Sequence, residues 1–186
     1  EDDLPPLVRA GLVHVQFETI HPYLDGNGRL GRMLIALLLE HWDLLGGPLL
    51  YLSLYFRQNQ AEYYRRLDAI RTEGDWVGWL EFFLTGISAI ADHATRTARA
   101  LYARATEDRQ TLLAMPEATV SSVRLFELLP EHPVLTMPRV TELLSTTKPT
   151  AGKAIEVLGA AGILTEIGAR KRDRLYRYDG YIRLLE

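Results

Sequence analysis

The amino-acid sequence predicts a mainly α-helical protein, a helical bundle followed by a small α+β domain. Three observations lead there. Trp76, Trp79, Phe83, Ile87, Ile90, Ala94, Thr97 and Leu101 recur at steps of three and four, the stripe of one long amphipathic helix. Ahead of it, apolar segments are separated by breaks rich in Pro and Gly. From about Met115 onward the pattern changes to helix, turn, helix and then two short β-rich runs. A chain of 186 residues with 47% hydrophobic content can bury one ordinary core or two small ones. The expected division is 1–112 and 113–186.

Asp3 with Pro5 and Pro6 reads as a helix start, and that helix runs to about Thr19. A second helix is predicted over about Leu30–Leu45. It is apolar nearly all round at Met33, Leu34, Leu37 and Leu38, so it is expected to be central and buried. Gly46-Gly47-Pro48 stops it. A third helix is predicted over about Ser53–Thr72, ended by the turn Glu73-Gly74-Asp75, and the long striped helix follows. Its stripe is core packing. Beyond it come a helix near Val120–Leu129, a short one near Pro138–Leu144, and a helix opened by Pro149 that carries Ala151, Ala154, Ile155 and Leu158 on one face. Ile163–Ile167 and Arg174–Tyr178 read as short strands.

Composition narrows the function classes. A net charge of −3 gives no global reason to expect nucleic-acid or membrane binding. The absence of cysteine excludes disulfides and thiolate metal sites and fits a reducing compartment. The longest apolar run, Met33–Leu39, is far short of the roughly 20 residues that span a bilayer. No basic-then-apolar signal segment opens the chain, so the expected location is cytoplasmic.

The chemistry is concentrated in His21-Pro22-Tyr23-Leu24-Asp25-Gly26-Asn27-Gly28-Arg29-Leu30-Gly31-Arg32. Gly26 and Gly28 can take positive φ and let a ligand approach the main chain. A helix starting near Leu30 presents its free N–H groups as an anion site. Arg29 and Arg32 are three apart and share a face of the first turn, where two guanidinium forks can hold successive phosphates. Asp25 offers the hard oxygen that Mg²⁺ uses beside substrate phosphates. Asn27 can donate an amide hydrogen bond to a phosphoryl oxygen. His21 is the natural general base. Each piece alone has a bland explanation, since Asp-Gly-Asn-Gly is usually a turn, paired arginines a solvated face, and a His at a helix end a cap. Few structural needs call for all of them in this order.

The segment resembles the motif of the Fic (fido) family, His-Pro-Phe-x-Asp/Glu-Gly-Asn-Gly-Arg-x-x-Arg, with Tyr23 in place of Phe. Leu4–Ile20 is similar to the family's preceding helix. Residues 48–67 resemble its downstream "LYLS…YF…N…YY…L" pattern, so the resemblance covers roughly residues 1–112. It implies a protein adenylyltransferase that moves AMP from ATP to a Ser, Thr or Tyr hydroxyl of a target protein. By the same resemblance His21 deprotonates the hydroxyl and Asp25 holds Mg²⁺. Gly26, Asn27 and Gly28 form the anion nest, Leu30 and Gly31 belong to the nucleotide-binding segment, and Arg29 and Arg32 grip the β- and γ-phosphates. Tyr63 and Asn59 stand where family members line the adenine side; being four apart, they are expected to share a helix face. Ordinary packing explains them equally well.

The family fold places further helices and a target-docking flap upstream of the motif, so this chain reads as a piece of a longer protein. The family's inhibitory Ser/Thr-x-x-x-Glu-Gly/Asn motif is absent: the only Glu followed by Gly or Asn is Glu73, and Ala69 stands four residues before it. An inhibitory helix is therefore expected upstream or on another chain. A homodimer is a further expectation of the resemblance, and AMP removal an alternative to AMP transfer.

Residues 113–186 resemble the winged helix-turn-helix superfamily, with "Ala-Ala-Gly-Ile-Leu" leading into the wing. Arg170, Lys171, Arg172 and Arg174 concentrate positive charge on the wing, and Lys148 and Lys153 flank the recognition helix, a footprint suited to DNA phosphates. Glu156 and Asp173 work against it, and protein docking or dimerisation stays open. A nucleotide-sensing regulator acting through this unit is the alternative to the enzyme.

Overall fold

The computed structural model describes residues 4–45, 52–168 and 174–185. They form two compact units, Glu1–Thr95 and Arg96–Glu186, each with its own apolar core.

The first unit begins with α1 (Pro6–Ile20), whose start carries Pro in the first turn as predicted. It ends at His21, which is left-handed (φ 49°, ψ 58°) and closes the helix with its N–H on the Phe17 carbonyl. The following Pro22 cannot continue a helix and disfavours the α region for the residue before it. Helix α2 (Asn27–His41) begins three residues earlier than expected, because Gly26 takes the left-handed conformation (φ 84°) and the helix starts directly after it. It is also less buried than its composition suggests. Only the stripe Asn27, Gly31, Ile35 and Leu39 is buried, while Met33 and Leu37 are 53% and 48% exposed among the described residues. An all-round apolar helix is covered only where another element packs, and here that element is α1.

The expected single helix after residue 52 is two, α3 (Leu52–Gln58) and α4 (Gln60–Glu73). Asn59 breaks the run at φ −114°, ψ 35°, its amide donating to the Tyr55 carbonyl. Asn competes with the helix through such local bonds. Gly74, left-handed, terminates α4 as its turn residues predict. The Gly46-Gly47-Pro48 stop and the start of the 48–67 pattern lie outside the described residues.

Helix α5 (Trp76–Leu113) realises the long stripe. Trp79, Phe83, Ile87 and Ile90 are buried, whereas Trp76 is 43% exposed. The compact units divide inside α5 rather than at 112/113. Beyond Thr95 its residues serve the second core: Leu112 is part of it, and Asp108, 4% exposed, accepts from Arg104 Nε (2.8 Å) and the Tyr178 hydroxyl (2.6 Å). Losing that hydroxyl would leave the buried carboxylate one donor short. Tyr178→Phe is expected to cost about 1–3 kcal/mol, read by urea denaturation.

The second unit continues with α6 (Val120–Leu128), β1 (Val134–Thr136), α7 (Met137–Leu143), α8 (Lys148–Ala160), β2 (Thr165–Ile167), β3 (Leu175–Arg177) and α9 (Asp179–Ile182). A capping box between Thr119 and Ser122 starts α6. Ala151, Ala154, Ile155 and Leu158 are buried on α8 as predicted. The strands form an antiparallel sheet in the order β1-β3-β2, with Arg177 of β3 opposite both Val134 and Thr165. Sequence periodicity indicates neither β1 nor α9. Three residues carry no readable alternation, and β1 exists through its pairing with β3 some forty residues away.

Candidate functional site

The motif occupies the turn between α1 and α2. His21 is exposed at the end of α1, held in a backbone conformation uncommon for a non-glycine residue. The loop that follows is tied from within. Asn27, 2% exposed, accepts from the Tyr23 N–H (3.0 Å) and donates to the Tyr23 carbonyl (2.6 Å). Its amide is thus engaged in shaping the loop. Asp25 is exposed; it accepts from the Gly26 N–H and stands 3.7 Å from Arg29.

Gly26 has the predicted positive φ, whereas Gly28 is helical. What Gly28 and Gly31 supply is space. A Cβ on Gly28 would lie 3.1 Å from Arg32 Nη1, and one on Gly31 would lie 2.6 Å from Glu18 Oε1 and 3.2 Å from His14 Cε1. Gly31 therefore serves the close approach of α1 and α2, and Leu30 beside it in sequence is half-buried.

The start of α2 is electrostatically unusual. No side chain caps it and no acidic residue stands in its first turn, yet that turn carries Arg29 and the next one carries Arg32. Free N–H groups and the helix dipole already make this end positive, so the Arg29 guanidinium is unfavourable there without an anion; Asp25 at 3.7 Å is the one the chain itself supplies among the described residues. Arg32 makes no ion pair among the described residues. Asp25 fits a Mg²⁺ ion held mainly by substrate phosphates, a lone hard carboxylate on an open loop. No cluster of three or more His, Asp or Glu is present among the described residues.

Tyr63 lies on α4, four residues after Asn59. Tyr63 is 4% exposed, stacked on Phe56 at 4.7 Å, with its hydroxyl 2.9 Å from His14 Nε2. Asn59 caps α4 one turn before it. Burial pushes the Tyr63 hydroxyl well above its ordinary pKa.

Two residues that sequence reasoning missed lie under the loop. His14 is fully buried, stacked on Phe56 and Trp79, and burial lowers its pKa to about 4, with Arg32 adding to the effect. Glu18 is 7% exposed, and its Oε1 has no hydrogen-bond partner. Their signal was available: two titratable groups four apart on the face that carries Ala10, Gly11 and Val15.

In the second unit Lys148 lines a cleft of about 1030 Å³ between α7, α8 and the strands, together with Met137, Ile155, Tyr176, Glu156 and Glu166. Lys153 stands 3.9 Å from Glu156, and Arg174 3.2 Å from Glu166, so part of the expected positive footprint is internally paired. Arg170, Lys171 and Arg172 lie outside the described residues.

Comparison with known proteins agrees with the motif. Residues 1–39 match the model of the Fic/DOC family. The chain is 30% identical over 141 residues to the protein adenylyltransferase Fic of Drosophila grimshawi, covering 76% of this chain and 26% of that protein. Against its counterpart in Drosophila mojavensis it is 31% identical over 131 residues, covering 70% and 23%. The chain thus spans about a quarter of the length of these relatives. A crystal structure of a Fic family protein from Desulfovibrio desulfuricans G20 superposes with a TM-score of 0.52 at 23% identity, over 96% of this chain and 50% of that one. The chain accordingly has the fold of a Fic family protein, and the segment that matches the Fic/DOC family contains the whole His21–Arg32 loop.

Proposed function

We propose that this chain carries the AMP-transfer site of a protein adenylyltransferase, with ATP as donor and a hydroxyl side chain of another protein as acceptor. The observation that carries the reading is the uncapped start of α2, with Arg29 in its first turn and Arg32 in its second, set one loop away from an exposed imidazole. The naming of the Drosophila relatives points the same way. In this scheme the N–H groups of the first turn, Arg29 and Arg32 bind the polyphosphate, and His21 takes the proton of the attacking hydroxyl. A new bond forms between that oxygen and the α-phosphorus, the bond from the α-phosphorus to the bridging oxygen breaks, and pyrophosphate leaves. Asp25 would hold Mg²⁺, which supplies charge neutralisation to the leaving group. Asn27 acts by fixing the Tyr23 peptide and with it the loop.

Residues 113–186 read best as a winged helix-turn-helix unit, supported by the order helix, strand, two helices, two strands. Its cations suit either DNA or a partner protein, and the acidic partners Glu156 and Glu166 favour the protein.

The test is incubation with candidate target protein and ATP labelled at the α-phosphate. Label is expected on protein from α-labelled ATP and not from γ-labelled ATP. Transfer of the γ-label instead would overturn AMP transfer in favour of a kinase-like reaction.

A further inference from the structure

A buried carboxylate that the proposed chemistry does not use sits directly beneath the phosphate cradle. Glu18 projects from the last turn of α1, 7% exposed, and its Oε1 bonds to nothing. Buried polar atoms are rarely left so, because each costs free energy, and an exception calls for a function. The charged groups that act on it are His21, Arg32 and Arg71, the last also donating to its backbone carbonyl at 3.4 Å.

The geometry around it is specific. The position a Cβ would take on Gly28 is 3.1 Å from Arg32 Nη1 and 4.0 Å from Glu18 Oε1, so the two side chains converge over one point of the first turn of α2. Glycine at 28 and 31 keeps that notch open. Arg32 has no carboxylate within ion-pair distance among the described residues, which leaves its fork free.

We propose that Glu18 is a positioning residue for Arg32, a buried carboxylate near enough to draw the guanidinium over the start of α2, where the distal phosphates of a nucleotide would be gripped. The inference rests on reading that turn as a nucleotide site and deepens it. Attraction across the partly desolvated notch draws the guanidinium toward the helix end, since opposite charges interact more strongly out of water. A planar five-donor fork can then face the carboxylate on one edge and phosphate on the other, which a lysine at the same place could not. Burial raises the pKa of Glu18, and His21, Arg32 and Arg71 oppose that shift without cancelling it.

The test measures binding of ATP and of AMP to the full chain with Mg²⁺ by calorimetry. AMP lacks the phosphates assigned to Arg32 and reports general damage to the site. Glu18→Gln keeps the shape and removes the charge; it is expected to weaken ATP about tenfold and leave AMP unchanged. Glu18→Asp keeps the charge and is expected to retain more of the preference for ATP than Glu18→Gln. The double variant Glu18→Gln with Arg32→Ala should bind ATP no more weakly than Arg32→Ala alone, because the two act as one unit. ATP affinity unchanged in Glu18→Gln, equal losses for ATP and AMP, or additive losses in the double variant would each overturn the positioning role while leaving the nucleotide site standing. A wild-type chain that binds neither nucleotide would remove both.

Discussion

His21→Ala is expected to lower AMP transfer by about 10²–10⁴-fold, the usual worth of a positioned general base, while leaving ATP affinity within reach of wild type. The separation follows from where the groups stand. The imidazole is at the end of α1, exposed and outside the first turn of α2, whereas the N–H groups and Arg29 and Arg32 that would bind polyphosphate are on α2. Removing the ring therefore takes away proton acceptance without touching the cradle. Its exposure also means that the substitution opens no cavity, so thermal stability should not fall. The measurement is single-turnover labelling from α-labelled ATP beside nucleotide binding by calorimetry. Undiminished transfer by the variant would exclude His21 as the base, and loss of ATP binding would assign the ring to the cradle instead.

The second large effect concerns pH and comes from His14. Its pKa in the folded state is about 4 against 6.5 for a free histidine, chiefly because burial penalises the cation. The unfolded chain therefore binds a proton between pH 6.5 and 4 that the folded one refuses. The stabilisation is fully present above pH 6.5 and declines as pH falls through this window, by about 3 kcal/mol in all. Glu18 acts with the opposite sign. Its folded-state pKa is raised, so its contribution is present below the unfolded value and lost as pH rises. Urea denaturation at a series of pH values measures the sum, and His14→Gln isolates the histidine. The variant should lose most of the decline between pH 6.5 and 4. An unchanged slope would show that His14 does not resist protonation in the folded protein.

The two effects divide the loop's neighbourhood into an outer layer, where His21, Asp25 and Arg29 meet solvent, and an inner layer of His14, Glu18 and Tyr63. The inner layer locks α1 against the rest of its unit: His14 stacks on both Phe56 and Trp79, and the Trp79 indole donates to the Gly11 carbonyl at 3.0 Å. Such packing fixes where α1 ends, and hence where His21 stands relative to the first turn of α2. Reading the motif residues alone as the site would miss that support.

Much of this was legible in advance. The stripe from Trp79 to Ile90 declared a helix because three- and four-residue spacing leaves few alternatives, and Gly74 marked an end because only glycine takes a positive φ at no cost. The α8 face was equally plain. The failures share a cause. Composition said that α2 was apolar on all sides, but whether Met33 or Leu37 is covered depends on which neighbour arrives. Asn59 broke a helix through a bond to Tyr55, a local competition that average propensity does not register.

The sequence by itself determined the loop proposed to bind phosphate, because His21, Asp25, Gly26, Arg29 and Arg32 lie within twelve residues and their relation needs only a turn and the start of one helix. It also determined the mainly helical class and the change of pattern in the last third of the chain. Tertiary structure alone decided that Gly28 and Gly31 are there for space, that Tyr63 faces His14 rather than an open surface, that three residues at 134–136 become a strand, and that Glu18 lies buried under Arg32. Those facts arise from contacts between segments distant along the chain, and burial is a property of what packs against a residue, which local spacing does not encode.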